Sequence, residues 1–256
     1  MHYLRHLARL GTPDIHPGGA QATRALIEAL ILRDGQRLLE LGCGTGNTIL
    51  RLVSKADVHV VGLDLLSEML LVARRRLSVS AAAGRCALVQ GSVSVLPFFD
   101  QSFDRVYTES VLGMLAEADV RGMLAETFRV LKPGGLFLAN EAIWKPHVDQ
   151  SMVNAVNRQG ERDFGLRHAS EQAWSVDRWL DEIRAAGFQP LAWKHLPAKD
   201  RKGTPRSPIA LWIRRLRLVS SPALLSEHRR YRQRLVQHRA DASLIEARLF
   251  VSARPS

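Results

Sequence analysis

The sequence predicts an α/β fold in which a doubly wound, mainly parallel sheet is covered by helices on both faces. The first observation is an apolar stretch, Leu38 to Leu41, that breaks into alternating glycines. The second is another strand pattern, which ends on the acid Asp64. The third is the alternation of strand and helix signals through residues 36–141. Such alternation is typical of repeated strand, helix, strand units, whose strands pair in parallel.

Local signals give the order of the elements. A leading helix is predicted over Pro17 to Leu32, because apolar residues recur there at helical spacing and Gly35 follows. A later helix is predicted from Ser175, a good N-cap, to Gly187, which favours a left-handed stop. The other helices are predicted at 47–54, 67–77 and 118–131, and the strands at 38–41, 58–63, 87–90, 103–107, 135–140, 188–196 and 246–252.

Size and composition fit one globular domain with additions. The chain has 256 residues, of which 46% are apolar. The sequence has no run of the roughly 18 to 20 apolar residues that a membrane span needs, and no apolar N-terminal core with a cleavage site. Its two cysteines, Cys43 and Cys86, have neither the number nor the spacing of a disulfide framework or a metal site. We therefore expect a cytoplasmic protein and no metal ion.

A nucleoside site is predicted at the turn after the first strand. Gly42, Gly44 and Gly46 form the pattern G-x-G-x-G, and glycine lets a backbone turn sharply and pass close to a ligand. Asp64 follows at the tip of the next strand, where a carboxylate can accept hydrogen bonds from ribose hydroxyls. Asn47 stands where the dinucleotide fingerprint has its third glycine, so that fingerprint is incomplete.

Glu40, two residues before the first glycine, extends this pattern into one that resembles motif I of the class I S-adenosylmethionine-dependent methyltransferases. Further segments similar to that family follow in its order. They are Ala87 to Ser92 with Leu96 to Phe98, then Ser102 to Tyr107, then Phe128 to Leu138. The resemblance is closest to the ubiquinone/menaquinone-biosynthesis type of small-molecule methyltransferase. It covers residues 36–141 well and the ends loosely.

The resemblance implies a Rossmann-like sheet of seven strands whose last strand is antiparallel. That last strand is 246–252, expected at the sheet edge beside the last parallel strand. It is usually joined to the strand before it by a short turn, but about fifty residues intervene here. We therefore expect one methyltransferase domain with four parts. They are an N-terminal cap (1–35), a cofactor-binding core (36–141), a substrate-side segment (142–174) and a basic helical insertion (197–244).

S-adenosyl-L-methionine is the cofactor that the resemblance implies. Glu40 is expected to reach its amino group directly or through water, and Asp64 is expected to hold the ribose hydroxyls. The remaining contacts are expected from Gly42, Cys43, Gly44 and Gly46 to the methionine part, and from Leu65, Ser92, Val93 and Leu112 to adenine.

Ser92 departs from the family pattern, which has an aspartate here that accepts a hydrogen bond from the adenine amine. A serine hydroxyl can accept the same bond without the charge that strengthens it. The expectation is a lower affinity for the same cofactor. The alternative is an exposed turn serine that contacts no ligand.

Three residues are candidates for catalysis. Methyl transfer from a sulfonium is an in-line displacement whose leaving group needs no proton, so the enzyme mainly aligns the reactants and sometimes removes one proton. Glu109, at the tip of the fourth strand, is a candidate base or orienting group; otherwise it binds the cofactor's amino group or caps the next helix. His147 and His168 are further candidate bases, because histidine accepts protons near neutral pH. A histidine in a loop is otherwise a surface residue.

The segment after the fifth strand is predicted to be irregular and to line the acceptor pocket. In open α/β sheets the segments that follow the carboxyl ends of strands form the ligand crevice. The candidates are Glu141, Trp144, His147, His168 and Trp174.

The insertion carries most of the formal net charge of +11, because thirteen Lys or Arg lie between Lys194 and Ala240 against two acids. Ser207-Pro208 and Ser221-Pro222 each predict the start of an amphipathic helix. Packing of the apolar faces over the substrate cleft or a second subunit is favoured over contact with a membrane surface. A basic surface can also meet nucleic acid or an anionic substrate.

The predicted function is transfer of a methyl group from S-adenosylmethionine to O, C or N of a small, aromatic or lipid-like metabolite. The alternatives are an RNA methyltransferase that docks through the insertion and a non-catalytic cofactor-binding protein. RNA is less favoured, because Tyr107 to Val111 lacks the Pro-Pro-aromatic pattern of enzymes that methylate nucleobase amines. The expected partner is a small-molecule acceptor, and a homodimer and peripheral membrane contact are left open.

Overall fold

The computed structural model describes residues 2–12, 16, 18–80, 83–196, 215–238 and 240–256. These residues form one seven-stranded sheet, in the order β3-β2-β1-β4-β5-β7-β6. The strands are β1 (Arg37–Leu41), β2 (His59–Asp64), β3 (Cys86–Gln90), β4 (Phe103–Glu109), β5 (Leu131–Trp144), β6 (Gln189–Leu196) and β7 (Ile245–Ala253).

The first five strands pair in parallel, and β7 pairs antiparallel with both β5 and β6. The predicted antiparallel last strand is therefore confirmed, but its predicted place at the sheet edge is wrong. The edge strand is β6, whose residues are mostly exposed, whereas the side chains of Leu249 and Phe250 in β7 are buried. Two long antiparallel pairings satisfy the backbone of β7 on both sides, and this is what an interior strand requires.

The helices cover both faces of the sheet. One apolar cluster joins Leu26 and Ile49 to the sheet, and a second does the same for Leu124 and Ile183 on the other face. A doubly wound fold is the arrangement in which both faces of a parallel sheet are covered in this way. The described helices are α1 (His2–Leu10), α2 (Gly19–Ala29), α3 (Asn47–Val53), α4 (Ser67–Ser78), α5 (Glu117–Val130), α6 (Gln150–Phe164), α7 (Val176–Ala185) and α8 (Pro222–Gln237).

Two helices that were not predicted from the sequence lie near the functional site described below. The first, α1, buries His6, Leu7 and Ala8 against α4 and α8. The second, α6, corrects the prediction of an irregular segment between Glu141 and Trp174. Its N-cap Asp149 accepts a hydrogen bond from Met152 N at 2.9 Å. Both helices have narrow apolar stripes, so their stability depends on elements distant in sequence.

The insertion is described in part. The helix predicted from Ser207-Pro208 falls mostly on residues 197–214, which lie outside the described residues; of the residues that follow, 215–219 are helical. The helix predicted from Ser221-Pro222 is α8, with the Ser221 hydroxyl accepting from Leu224 N at 3.3 Å. Throughout the described chain, the helices are too short or too polar to cross a membrane.

Candidate functional site

A cleft of about 490 Å³ opens at the carboxyl ends of β1, β2 and β4. This volume falls within the range of small-molecule and cofactor sites. Its polar side is formed by the turn after β1, by the tips of β2 and β4, and by the start of α3. Its opposite side, called the roof below, consists of Tyr3, Leu4, Leu7, Phe164 and Leu235.

The glycine turn after β1 forms part of the cleft wall with its backbone. Gly42 and Gly44 both line the cleft, with φ of 72° and 51° in the left-handed region that favours glycine. A Cβ at Gly42 would collide with Val111 Cγ2, whereas one at Gly44 would meet no atom within 4 Å. Cys43 also lines the cleft. Gly46 lies outside the lining; it is the N-cap residue of α3 and packs against Ala73.

Asp64 ends β2 at the rim of the glycine turn. Its carboxylate accepts hydrogen bonds from Gly44 N and Leu66 N, both at 2.8 Å. Burial raises the pKa of Asp64, and the backbone hydrogen bonds oppose that shift. The next residue, Leu65, lines the cleft with half of its surface exposed. The backbone thus fixes this carboxylate at the cleft wall.

Glu40 lies beneath the turn, where its carboxylate accepts a hydrogen bond from Tyr107 OH at 3.1 Å. Burial raises the pKa of Glu40 well above its usual value, and the nearby charge of Glu109 raises it further. The hydrogen bond from Tyr107 acts in the opposite direction. A cation in the cleft would favour the ionised form of Glu40.

Glu109, at the tip of β4, accepts hydrogen bonds from three separate parts of the chain and lies beside a fourth. Thr48 Oγ1 donates to Oε1 at 2.8 Å, while Thr23 Oγ1 and Asn140 Nδ2 donate to Oε2 at 3.1 and 3.0 Å. The His16 ring lies 3.4 Å from Oε2. A carboxylate with this many partners has a fixed orientation.

The predicted adenine segment is only partly at the cleft. Ser92 and Val93 line it, and Ser92 is exposed with its hydroxyl accepting from Ser94 N at 3.2 Å. Leu112 is buried in the apolar core and does not line the cleft, where Val111 and Met114 do.

The remaining acceptor-side candidates separate into two groups. His168 lines the cleft, and burial followed by the charge of His238 lowers its pKa. His147 is exposed and does not line the cleft. Glu141 accepts hydrogen bonds from the backbone of Val111, Leu112 and Gly113, and burial raises its pKa to about 7. Glu141 therefore supports the turn after β4 from behind, without facing the cleft.

The two tryptophans of the substrate-side segment also lie outside the cleft lining. Trp144 is buried, and its indole N–H donates to Ser170 O at 2.9 Å. Trp174 packs edge-on against Trp179 of α7. Both residues stabilise the fold near the cleft and do not form its wall.

The sequence analysis missed several cleft residues. His16, Thr48 and Arg167 line the cleft, and Thr23 donates to Glu109 from α2. Thr48 had a usable signal, because the first turn of the helix after a glycine turn always lies beside it. His16 and Arg167 had none, since each lies in a short connection whose position depends on packing.

Comparisons with known proteins agree on one family. A sequence profile of a methyltransferase domain matches residues 38–135. The ubiquinone/menaquinone biosynthesis C-methyltransferase UbiE of Roseobacter denitrificans is 33% identical over 187 residues, which cover 67% of this chain and 74% of that protein. A sterol 24-C-methyltransferase of Gibberella zeae is 30% identical over 169 residues, or 66% of this chain and 43% of that protein.

The fold also matches solved structures. Phosphoethanolamine N-methyltransferase 2 of Haemonchus contortus, solved with S-adenosyl-L-methionine, superposes with a TM-score of 0.70 at 19% identity. The match covers 98% of this chain and 56% of that chain. At this identity the likeness establishes a shared architecture, and the chemistry must be argued from the cleft itself.

Proposed function

This chain belongs to the class I S-adenosylmethionine-dependent methyltransferases, and on that premise we propose that its acceptor is a small, aromatic or lipid-like metabolite. The observation that carries the proposal is the roof. Tyr3, Phe164 and Leu235 offer apolar surface to the cleft opposite the glycine turn. Apolar surface of this kind favours a ligand that leaves water readily.

The polar side of the cleft fits the chemistry of the cofactor. Glu40, Asp64 and Glu109 bring three carboxylates to one cleft, and mutual repulsion contributes to the raised pKa of Glu40. S-adenosylmethionine carries an ammonium and a sulfonium cation, so these acids would compensate its positive charge. We assign the amino group to Glu40 and the ribose to Asp64. The turn backbone at Gly42, Cys43 and Gly44 is assigned to the methionine part, and Leu65, Ser92 and Val93 are assigned to adenine.

When bound, the cofactor supplies an electrophilic methyl group. The chain's own contribution is then to align an acceptor atom and to exclude water from it. Among the predicted catalytic residues we place Glu109 in the transfer site, as a fixed negative charge beside the reacting groups. Its three hydrogen-bond donors and the neighbouring His16 ring fix its orientation, so we assign it a positioning and electrostatic role.

The acceptor atom is assigned only as O, C or N. The named relatives include C-methyltransferases of quinone and sterol biosynthesis. The activities of these relatives support an apolar acceptor for this chain as well, in agreement with the roof. RNA as acceptor receives less support, because a roofed apolar cleft suits a detached small molecule better than a base in a polymer.

The test is release of S-adenosylhomocysteine by the purified full chain. It would be incubated with S-adenosylmethionine and separate pools of apolar aromatic metabolites, isoprenoid lipids, polar amines and bulk RNA. Turnover with an aromatic or isoprenoid pool is expected. Turnover with RNA alone, or with polar amines alone, would overturn the proposed acceptor class.

The cofactor assignment is tested by calorimetry. Asp64→Ala is expected to weaken S-adenosylmethionine binding by about 1 to 3 kcal/mol, because ribose hydroxyls lose a charged acceptor. Asp57→Ala is the matched control, since Asp57 is exposed and pairs with Arg85 far from the cleft. Ser92→Asp is expected to bind equally or more tightly. Unchanged affinity in a folded Asp64→Ala variant would remove Asp64 from the site.

A further inference from the structure

Three buried polar atoms beside the roof have no hydrogen-bond partner within the part of the chain that the structure describes. They are His168 Nε2, His238 Nδ1 and Asp241 Oδ2. Buried polar groups are nearly always paired, because an unpaired one costs about 1 to 3 kcal/mol. Three such atoms in one place therefore call for a shared partner.

The three residues converge although they come from distant parts of the chain. Each residue offers one potential ligand atom, and these three atoms all lie within 4.8 Å of one another. His168 follows α6, His238 is the C-cap residue of α8, and Asp241 begins the 3-10 turn before β7. His238 Nδ1 and Asp241 Oδ2 approach to 2.7 Å without the geometry of a hydrogen bond. Two ligand atoms of a tetrahedral zinc ion lie about 3.3 Å apart, so a bound metal would have to separate these two atoms slightly.

Asp163 supplies the outer support that a metal-binding histidine usually has. Its carboxylate lies 3.0 Å from His238 Nε2. With Nε2 donating to Asp163, the neutral ring leaves Nδ1 as its acceptor nitrogen. A carboxylate that fixes the tautomer in this way is the common second contact of histidine ligands in zinc sites.

The spacing and donor set suit one metal better than others. Two imidazole nitrogens and one carboxylate oxygen are borderline ligands, typical of Zn²⁺, which binds such atoms at about 2.0 to 2.2 Å. Atoms within 4.8 Å of one another can reach such bond lengths with small side-chain rotations. Mg²⁺ and Ca²⁺ prefer oxygen ligands alone.

We propose that His168, His238 and Asp241 form a binding site for a divalent transition metal, with Zn²⁺ as the best fit. The metal joins the loop after α6 to the end of the insertion helix α8, and both of these contribute to the wall opposite the glycine turn. Three protein ligands leave one position of a tetrahedron for water or a polar atom of the acceptor. This proposal of a metal site does not rest on the proposed class of methyl acceptor.

Gly160 supports the position of His168. A Cβ there would lie 2.9 Å from His168 Cδ2 and 3.2 Å from Nε2, so the ring packs directly on the α6 backbone. No metal was expected from the sequence, because the two cysteines lack the spacing of a metal site and His168 lies 70 residues before His238.

The test is metal binding by the full chain after removal of metals with a chelator. We expect one Zn²⁺ per chain by calorimetry, and d–d absorption of tetrahedral Co²⁺ without a thiolate band, which rules out Cys43 and Cys86 as ligands. His168→Gln and His238→Gln are each expected to weaken Zn²⁺ binding at least about a hundredfold, and Asp163→Asn about 10-fold to 100-fold.

His195→Gln is the matched control, because His195 also lies near a carboxylate, 3.7 Å from Glu246, but is half exposed and is not a member of the cluster. It should bind Zn²⁺ like the wild-type chain. Circular dichroism of each variant in chelator checks that it is folded. If the wild-type chain binds no Zn²⁺ at micromolar concentration, the site is overturned. Equal Zn²⁺ affinity in folded His168→Gln and His238→Gln variants overturns it as well.

Discussion

At the scale of single residues, the cleft is dominated by acids that the fold holds close together. Glu40 is buried, Asp64 is held by two backbone donors, and Glu109 is held by side chains from α2, α3 and β5. Burying like charges is unfavourable unless a counter-charge arrives. A cationic cofactor supplies that counter-charge, which explains why a stable fold can keep this arrangement.

The raised pKa of Glu40 predicts that cofactor binding is linked to proton release. In the free protein, burial and Glu109 keep Glu40 partly protonated above its usual titration range. An ammonium group beside it stabilises the carboxylate and lowers that pKa, so binding expels a proton. Affinity for S-adenosylmethionine should therefore rise as the pH increases above the ordinary titration range of a glutamate, until Glu40 is ionised in the free protein as well. Calorimetry in two buffers with different ionisation enthalpies measures the proton directly.

Glu40→Gln is the control for this linkage, because it keeps the shape of the side chain but cannot ionise. It should bind more weakly and show no proton release from this position. A wild-type binding heat that is the same in both buffers across this pH range would contradict the assignment of Glu40 to the amino group.

Gly42 should be the glycine of the turn that tolerates substitution least. Gly42→Ala is expected to lower the free energy of unfolding by about 2 to 4 kcal/mol, because the left-handed backbone and a collision with Val111 Cγ2 both oppose a Cβ. Gly35→Ala is the matched control, since Gly35 has φ of 79° but no atom within 4 Å of the added Cβ. Gly35→Ala should lower the free energy of unfolding by only about 1 to 2 kcal/mol. Equal losses in urea denaturation would show that the collision is relieved by movement of Val111.

At the scale of elements, the insertion helix α8 is part of the cleft. Tyr231 of α8 packs against Tyr3 and His6 of α1, with ring centroids 4.9 Å apart in each case. Arg9 and Glu227 add an ion pair between the same two helices at 3.0 Å. These contacts show that α1 and α8, which come from opposite ends of the chain, stabilise each other beside the cleft.

The variant Tyr231→Ala should weaken binding of the acceptor without weakening binding of the cofactor. We expect a loss of about 3 to 5 kcal/mol in the free energy of unfolding, because a buried aromatic ring leaves a cavity. The KM for the acceptor should rise, whereas affinity for S-adenosylmethionine should change little. The glycine turn and Asp64 make no contact with Tyr231 among the described hydrogen bonds and ring contacts.

Arg232→Ala is the companion variant, because Arg232 is exposed on the same helix and its loss should change stability by no more than about 0.5 kcal/mol. Thermal unfolding and steady-state kinetics on both variants give the comparison. If Tyr231→Ala weakens cofactor binding as much as acceptor binding, α8 supports the whole cleft and the roof is not specific to the acceptor.

At the scale of the whole molecule, charge is divided between the inside and the outside. The chain has a formal net charge of +11, yet its cleft contains three carboxylates. The exposed arginines of α8 include Arg229, Arg230 and Arg232, which lie on the side away from buried Leu224 and Tyr231. Local charge in a cleft with low-dielectric walls outweighs distant surface charge that salt screens. A basic protein can therefore bind a cationic cofactor.

The sequence by itself determined the features that depend on neighbouring residues. The glycine turn after β1, the acid at the tip of β2, and the N-caps Ser175 and Ser221 are all present where local patterns predicted them. Each is specified by backbone geometry or hydrogen bonding within a few residues, so each can be predicted from the sequence alone. The same holds for the alternation of strands and helices that gives the doubly wound sheet.

Only the tertiary structure decided the features that need residues far apart in the chain to meet. The position of β7 between β5 and β6, the roof built from α1, α6 and α8, and the donors around Glu109 all depend on such contacts. Packing buried Glu141 behind the turn after β4, where it accepts a hydrogen bond from Val111 N. Packing also placed the ring of His168 next to that of His238. Sequence spacing does not report burial or long-range contact, because both arise from the packing of whole elements.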